Sequence, residues 1–316
     1  MTVPSLNGRA VTDTISRRIT TSDGLSLAVY EDGPADGPVV VFVHGYPDNH
    51  HVWDGVAAAL MGDFRVVRYD VRGAGRSDVP ATRSGYRIEQ LNEDLARVIN
   101  AVSPYAPVHL VAHDWGSIQC WDALPEDRFG VLVSSYTSIS GPSLDYASVW
   151  MRGLHRGARP RLVQLAESYY IGFFMTPWLP EALARRGFVD TMARLSSWIA
   201  TPLSPPATAD FERGPAETVN GIELYRANVP MRLLRPRPPK IKLPVQVIAP
   251  SHDIHVSAPL ATQAPAPYVD DLTIVRIEGN HWVVSQRPVE VADLVRHFID
   301  AVSARSDAPH GKDSLR

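Results

Sequence analysis

Five residues, Val-Val-Val-Phe-Val at 39–43, leave this chain little choice of architecture. A short run of mostly β-branched side chains, with no polar residue in alternation, suits a strand covered on both faces, as in a parallel sheet. Similar runs stand at 65–69 (Arg-Val-Val-Arg-Tyr) and 107–111, and again at 131–135, 244–249 and 272–277. Residues 25–30 alternate like a half-buried strand before a polar turn at Asp32-Gly33. Between the runs, Ile88, Leu91, Leu95, Val98 and Ile99 recur at helical spacing over 88–102, and a last amphipathic helix is expected at about 288–303. Strands alternating with helices predict an α/β chain with a doubly wound, mostly parallel sheet. With 45% of its 316 residues hydrophobic, the chain has the apolar side chains such a core needs.

The charge balance removes several function classes. Thirty-one basic residues face 34 acidic ones, so neither nucleic acid nor an anionic membrane finds the basic face it requires. Cys120 is the only cysteine, which rules out an intrachain disulfide and a cysteine-rich zinc site. No apolar run reaches the roughly 18 residues of a membrane span. The N-terminal stretch lacks the apolar segment of a signal peptide. A cytoplasmic protein is therefore expected.

The alternation breaks between Pro142 and Pro239, where no strand pattern occurs. Residues 143–154, 160–174, 180–200 and 208–228 read as helices, with a loop at Ser204-Pro205-Pro206. The stretch ends in Arg235-Pro236-Arg237-Pro238-Pro239-Lys240, a stiff connector. The expected organisation is a core of residues 1–141 and 240–303, an inserted helical cap at 142–239, and a frayed polar tail at 304–316. A lid over a sheet leaves a cavity between two rigid parts, a common place for a ligand.

At 107–117 an apolar strand runs into Ala112-His113-Asp114-Trp115-Gly116 and then a helix-compatible stretch. Small residues flanking a central side chain resemble the strand-to-helix elbow of the α/β-hydrolases, which lifts that side chain above the sheet edge. The centre here is Asp114, and no Gly-x-Ser-x-Gly occurs in the chain. An aspartate capping the following helix is the plainer reading. If Asp114 is a nucleophile, its identity selects the chemistry. A carboxylate attacking an ester carbonyl gives an unfavourable anhydride, whereas attack on a tetrahedral carbon with a leaving oxygen or halide gives an ordinary alkyl ester. Epoxides and haloalkanes are such electrophiles.

Two further stretches follow strands. After Val43 comes His44-Gly45-Tyr46-Pro47, a plain loop or, in this fold, the turn that offers one backbone N–H to an oxyanion. Tyr46 and Trp115 are assigned those two amides. After 244–249 comes Ser251-His252-Asp253, and after 272–277 comes Gly279-Asn280-His281-Trp282. The order nucleophile, acid, base is that of the α/β-hydrolases, and each residue falls just past a strand end, where open α/β sheets place their sites. Asp253 would orient His281, and His281 would deprotonate water. His252 and His255 are nearby competitors, each read as a surface residue.

Together, His44-Gly45-Tyr46-Pro47, the Tyr69–Ser77 stretch (Tyr-Asp-x-Arg-Gly-x-Gly-x-Ser), His113-Asp114-Trp115-Gly116, Asp253 and Gly279-Asn280-His281-Trp282 resemble the α/β-hydrolase-fold epoxide hydrolases over about residues 20–303. That resemblance implies two lid tyrosines that hydrogen-bond the epoxide oxygen. Tyr170, before Ile171-Gly172-Phe173-Phe174, matches one context, and Tyr225, in Leu224-Tyr225-Arg226-Ala227-Asn228, is similar to the other. Tyr169 adjoins Tyr170 and competes for the first role, and packing is the plain alternative for any lid tyrosine. The chain looks most like the subgroup whose hydrolase domain precedes a short-chain dehydrogenase domain. Asn280 departs from a frequent glycine of the family, which bears on local packing alone.

The resemblance implies hydrolysis of a small apolar epoxide by water, with no cofactor and no metal. A haloalkane dehalogenase shares Asp114, Asp253 and His281 but usually needs a second halide donor where Tyr46 stands. A non-catalytic small-molecule-binding protein on the same scaffold would need none of these groups together. Arg72-Gly73-Ala74-Gly75-Arg76-Ser77 lacks the last glycine of a dinucleotide fingerprint. His50-His51 lack the usual spacing of metal ligands. Cys120 is read as a packing residue. Oligomeric state is not written in the sequence, and a homodimer is one compatible state.

Overall fold

The structure is a computed structural model that describes residues 10–153, 158–201 and 213–307. The expected loop at 204–206, the first nine residues and the tail beyond 307 lie outside the described residues. Among the described residues, eight strands form one sheet: β1 (Arg17–Thr20), β2 (Ser26–Asp32), β3 (Val39–Val43), β4 (Arg65–Tyr69), β5 (Val108–His113), β6 (Val133–Ile139), β7 (Val245–Pro250) and β8 (Leu272–Ile277). Their order is β1-β2-β4-β3-β5-β6-β7-β8. The first two pairings are antiparallel and the rest parallel.

The uniform apolarity of β3 has a direct cause. Val41 and Val43 enter the cluster on one face with Leu110 and Ala112 of β5. Val40 and Phe42 enter the cluster on the other with Val111. Successive side chains point to opposite faces, and both faces are covered. The helices that cover or follow the strands are α1 (Asp54–Leu60), α2 (Ile88–Val102), α3 (Trp115–Ala123) and α4 (Phe129–Leu132).

Between β6 and β7 the described residues form seven helices: α5 (Leu144–Arg152), α6 (Ala158–Glu167), α7 (Tyr169–Met175), α8 (Leu179–Ala184), α9 (Phe188–Ala200), α10 (Pro215–Asn220) and α11 (Ile222–Leu234). The chain closes with α12 (Ala258–Gln263), α13 (Val283–Gln286) and α14 (Pro288–Asp307). Among the described residues no helix is long and apolar enough to cross a membrane.

Three long helices expected in the insertion are each broken. The 160–174 helix divides at Ser168 and the 180–200 helix at Gly187; of the expected 208–228 helix, 208–212 lie outside the described residues, and the rest begins at Pro215 and divides at Gly221. Gly187 has φ +76°, the left-handed conformation in which glycine carries no steric penalty. Apolar spacing does not record such a break, and in α6 it does not record burial either: Leu162, Val163 and Leu165 are exposed while Gln164 is buried. The strand expected at 131–135 also shifts. Phe129–Leu132 form a helical turn and β6 runs on to Ile139, where buried Ser135, Thr137 and Ser138 gave no apolar pattern to read. The four-residue edge strand β1 was too short to read.

The insertion leaves and rejoins the core at one place. Asp145 in α5 accepts from the Arg237 amide (2.7 Å) and pairs with Arg232 (3.1 Å), and the Tyr146 hydroxyl donates to the Pro239 carbonyl (2.7 Å). The proline-rich return is thereby fastened to the first helix of the insertion.

Candidate active site

Asp114 sits between β5 and α3 with φ +50° and ψ −123°, a conformation that costs an L-residue of order 1–3 kcal/mol. Its neighbours make that turn feasible. A Cβ on Gly116 would lie 2.4 Å from the Val43 carbonyl oxygen, and one on Gly45 would lie 2.4 Å from Asp114 Oδ1 and 2.6 Å from the Trp115 nitrogen. Only glycine lets the β3 loop close this tightly on the elbow. The closure brings the Tyr46 amide within 2.8 Å of Asp114 Oδ1, to which it donates. Trp115 occupies the first position of α3, where no intrahelical acceptor precedes its N–H. The Tyr46 amide thus meets the carboxylate, the Trp115 N–H is one of the unpaired donors at the start of α3, and the Tyr46-Pro47 bond is cis.

The other two residues read from strand ends converge on the same point. His281 Nε2 lies 3.5 Å from Asp114 Oδ2, and His281 Nδ1 lies 3.0 Å from Asp253 Oδ2. Asp253 is itself held, with Oδ1 accepting from the amides of His255 (2.8 Å) and Val256 (2.9 Å). His113 Nε2 donates to the His281 carbonyl (2.8 Å), which fixes the backbone that carries the imidazole.

These contacts set the charge states. Burial alone would raise Asp114, but His281, then His113 and the Tyr46 amide, outweigh it and hold the carboxyl below its ordinary value. Burial likewise opposes the charge of Asp253, yet His281 brings it down to about 2. His281 is the counterpart: burial disfavours its cation, but Asp253 and Asp114 together raise it to about 10.

The two tyrosines come from the insertion. Tyr170 in α7 and Tyr225 in α11 meet edge to face at 6.0 Å and line the same cavity as Asp114 and His281, a space of about 250 Å³. Phe173, Phe174, Phe188 and Trp282 supply much of its remaining, apolar lining. Burial pushes both tyrosine hydroxyls far above their ordinary value, and the charge of Asp114 adds to that, so both remain proton donors. The Trp115 side chain hydrogen-bonds Tyr225 and partly offsets its shift. Tyr169, the competitor of Tyr170, is 60% exposed and lies at the rim.

One reading needs correction. His255 is not on the surface but lines the cavity, 4.9 Å from the His281 ring and 5.3 Å from Tyr170. The turn closed by Asp253 Oδ1 on the His255 amide directs the ring inward, where Nε2 meets Ser196 Oγ of α9 at 3.3 Å. Burial lowers it to about 4, so it is neutral beside the His281 cation. His252 remains exposed, as read.

Four groups escaped sequence reading. Asp48 accepts from the Trp282 indole (3.1 Å) and pairs with Arg213 (2.5 Å), so it ties the loop after β3 to the loop after β8 and to the insertion. Asn280 reaches into α9, donating to Ser197 Oγ (2.8 Å) and to Thr201 Oγ1 (2.9 Å), more than the local packing expected of it. The Tyr46 hydroxyl donates to the Thr218 carbonyl (2.6 Å) in the insertion. Glu167 at the end of α6 has a buried carboxyl oxygen with no hydrogen bond, and burial with repulsion from Asp253 raises it to about 7. All four act across sequence separations of 79 residues or more, which leave no local signature.

Comparison with known proteins locates this arrangement. The sequence profile of the alpha/beta hydrolase fold matches residues 38–282. A Mycobacterium tuberculosis protein named probable oxidoreductase EphD is 34% identical over 304 residues, covering 93% of this chain and 51% of the relative. The chain thus spans about half the length of the first curated relatives it matches. Mouse epoxide hydrolase 3 is 26% identical over 293 residues, 88% of this chain and 75% of the relative. The crystal structure of Bacillus megaterium epoxide hydrolase with an inhibitor superposes with a TM-score of 0.74 at 23% identity, covering 90% of this chain and all of that one, a likeness of fold. With its elbow, its mostly parallel sheet and a family match across most of its length, the chain belongs to the α/β hydrolase family.

Proposed function

We propose that the chain is an epoxide hydrolase that opens a small apolar epoxide to a vicinal diol through an alkyl ester on Asp114. In this reading residues 142–239 act as a cap over a core of 1–141 and 240–303. The observation that carries it is a buried, ionised carboxylate facing two buried tyrosine hydroxyls across one apolar cavity. A carboxylate nucleophile suits a tetrahedral carbon, and neutral hydroxyls suit a leaving oxygen that must take up a proton. The curated and structural relatives that bear the name epoxide hydrolase support the same reading. The half-length match to the mycobacterial oxidoreductases supports placing the chain beside the subgroup with a fused dehydrogenase domain.

In this reading the two oxygens of Asp114 have separate work. Oδ2, which faces His281, attacks the ring carbon while the ring C–O bond breaks and a tyrosine proton passes to the departing oxygen. Oδ1, already bonded to the Tyr46 amide, becomes the ester carbonyl oxygen and, in the second step, the oxyanion. Water then attacks the ester carbonyl carbon and loses a proton to His281; the tetrahedral species collapses with cleavage of its bond to Oδ2, the departing diol oxygen takes the proton back from His281, and the proton left on the new Asp114 carboxyl restores the tyrosine hydroxyl. Esterification itself prepares that base. Asp114 is one of the two carboxylates that raise His281, and once its charge is gone His281 loses its proton more readily.

The pH dependence follows from these directions. Alkylation persists into acid because Asp114 stays ionised below the ordinary carboxylate value, whereas ester hydrolysis slows as His281 becomes protonated. Rapid-quench intact mass should therefore show the ester fraction rising as pH falls. The decisive experiment is His281→Gln treated with styrene oxide. An adduct of one epoxide on Asp114 that fails to turn over supports the scheme, and an unmodified protein overturns it. Halide release from a chloroalkane without diol from any epoxide would select dehalogenation instead, and binding of either without turnover would select a non-catalytic role.

A further inference from the structure

Outside the cavity, the turn after Asn49 gathers a second set of polar groups. We propose that Asp13, His50 and His51 form a binding site for a divalent transition-metal ion, which fastens the N-terminal segment to the sheet. One oxygen of Asp13 and one ring nitrogen from each histidine lie within 4.8 Å of one another. Asp13 Oδ1 is 3.7 Å from His50 Nε2 and 3.4 Å from His51 Nε2. A tetrahedral ion with bonds of about 2.0–2.1 Å holds its ligand atoms about 3.4 Å apart, so these two separations are already close to ligand geometry.

With its ring neutral, His50 cannot satisfy the Asp13 carboxylate beside it. His50 Nδ1 lies 2.8 Å from Asp70 Oδ1, and His51 Nδ1 lies 2.8 Å from Asp54 Oδ2. A carboxylate accepts, so each Nδ1 carries a hydrogen, and in the neutral form of each ring Nε2 presents a lone pair toward Asp13. The His50 side chain is 2% exposed, and its Nε2 has no hydrogen-bond partner. A buried lone pair aimed at a carboxylate oxygen calls for a cation between them.

The surroundings fit that demand. A histidine whose far ring nitrogen donates to a carboxylate is the usual arrangement behind a metal ligand. Asp70 is immobilised by the His50 amide (2.9 Å), the Tyr30 hydroxyl (3.0 Å) and the Arg76 amide (2.9 Å), and the Tyr30 ring stacks on His50 at 3.6 Å. Arg76 takes Asp13 Oδ2 and Arg68 takes Asp54 Oδ1, so each arginine leaves the other carboxylate oxygen to the cluster. Two imidazoles with one carboxylate suit zinc, cobalt or nickel, and magnesium or calcium, which prefer oxygen, far less. Adjacency in sequence is no obstacle, because the 3-10 turn at His50–Trp53 sets the two rings 4.0 Å apart.

The rival is a proton in place of the metal, carried by His51 and shared with Asp13. The test uses the whole, untagged chain after chelator treatment, with zinc chloride as probe, read by calorimetry and thermal melting, and with cobalt chloride read by visible absorption. The expected result is one zinc per chain, a melting temperature that rises with zinc concentration, and loss of both in His51→Ala and in Asp13→Ala. These two positions are partly or largely exposed, so the variants avoid the buried His50. Magnesium should produce no shift. Wild-type protein that binds no stoichiometric zinc establishes the proton and overturns the site, as does zinc binding of unchanged affinity in both variants.

Discussion

The cavity has two sides of different construction. On the sheet side, charges are locked by short backbone contacts: Asp114 by the Tyr46 amide, Asp253 by two amides and a histidine. On the helical side, Tyr170 and Tyr225 are held by ring packing against Phe174 and one another, with one hydrogen bond between Tyr225 and Trp115. Charge demands backbone donors at fixed distance, because an unpaired buried charge is costly. A neutral hydroxyl costs less to bury than a charge and is satisfied by a single partner, so ring packing can set its place. In the proposed reaction, bond making falls to the rigid side and leaving-group protonation to the packed side.

That division can be broken in order of severity. Asp114→Ala removes the carboxylate from the sheet side and should lower diol formation on the order of 10⁶-fold, as loss of a nucleophile does elsewhere. Steady-state diol assay checks it, and activity within tenfold of wild type would remove Asp114 from the chemistry. On the packed side, Tyr170→Phe and Tyr225→Phe should each cost about 10²–10³ in kcat, by analogy with loss of one oxyanion donor. The double variant should fail to open the epoxide while keeping its fold by circular dichroism.

Smaller effects should come from the seam between the two sides. A Cβ on Gly221 would lie 2.0 Å from the Tyr46 ring, whose hydroxyl also holds Thr218. Gly221→Ala should therefore destabilise the chain by about 1–3 kcal/mol, the scale of an overpacked contact, as read by denaturant melting. Tyr169→Phe, at the exposed rim, should leave kcat unchanged, and a loss matching that of Tyr170→Phe would reassign the donor.

Sequence reading reached the sheet side further than the helical side, for a physical reason. The elbow, the turn after β3 and the acid and base loops follow strands whose apolar runs mark them, so neighbours in sequence declare the position of each group. The insertion has no such frame. Resemblance alone points to Tyr170, its sequence does not separate it from Tyr169, and three expected helices are six among the described residues. His255 was misplaced because a turn closed by a side chain, not a periodicity, points it inward.

What the sequence determined by itself was the layered α/β architecture and the chemical types at the strand ends, since burial on both faces dictates the β-branched runs and tight turns dictate their glycines. Which tyrosine faces Asp114, that Asp48 and Asn280 join the two halves, and that His50 and His51 share a pole with Asp13 were decided only by tertiary structure. Those contacts join residues far apart along the chain, and nothing in local composition records a distance in space.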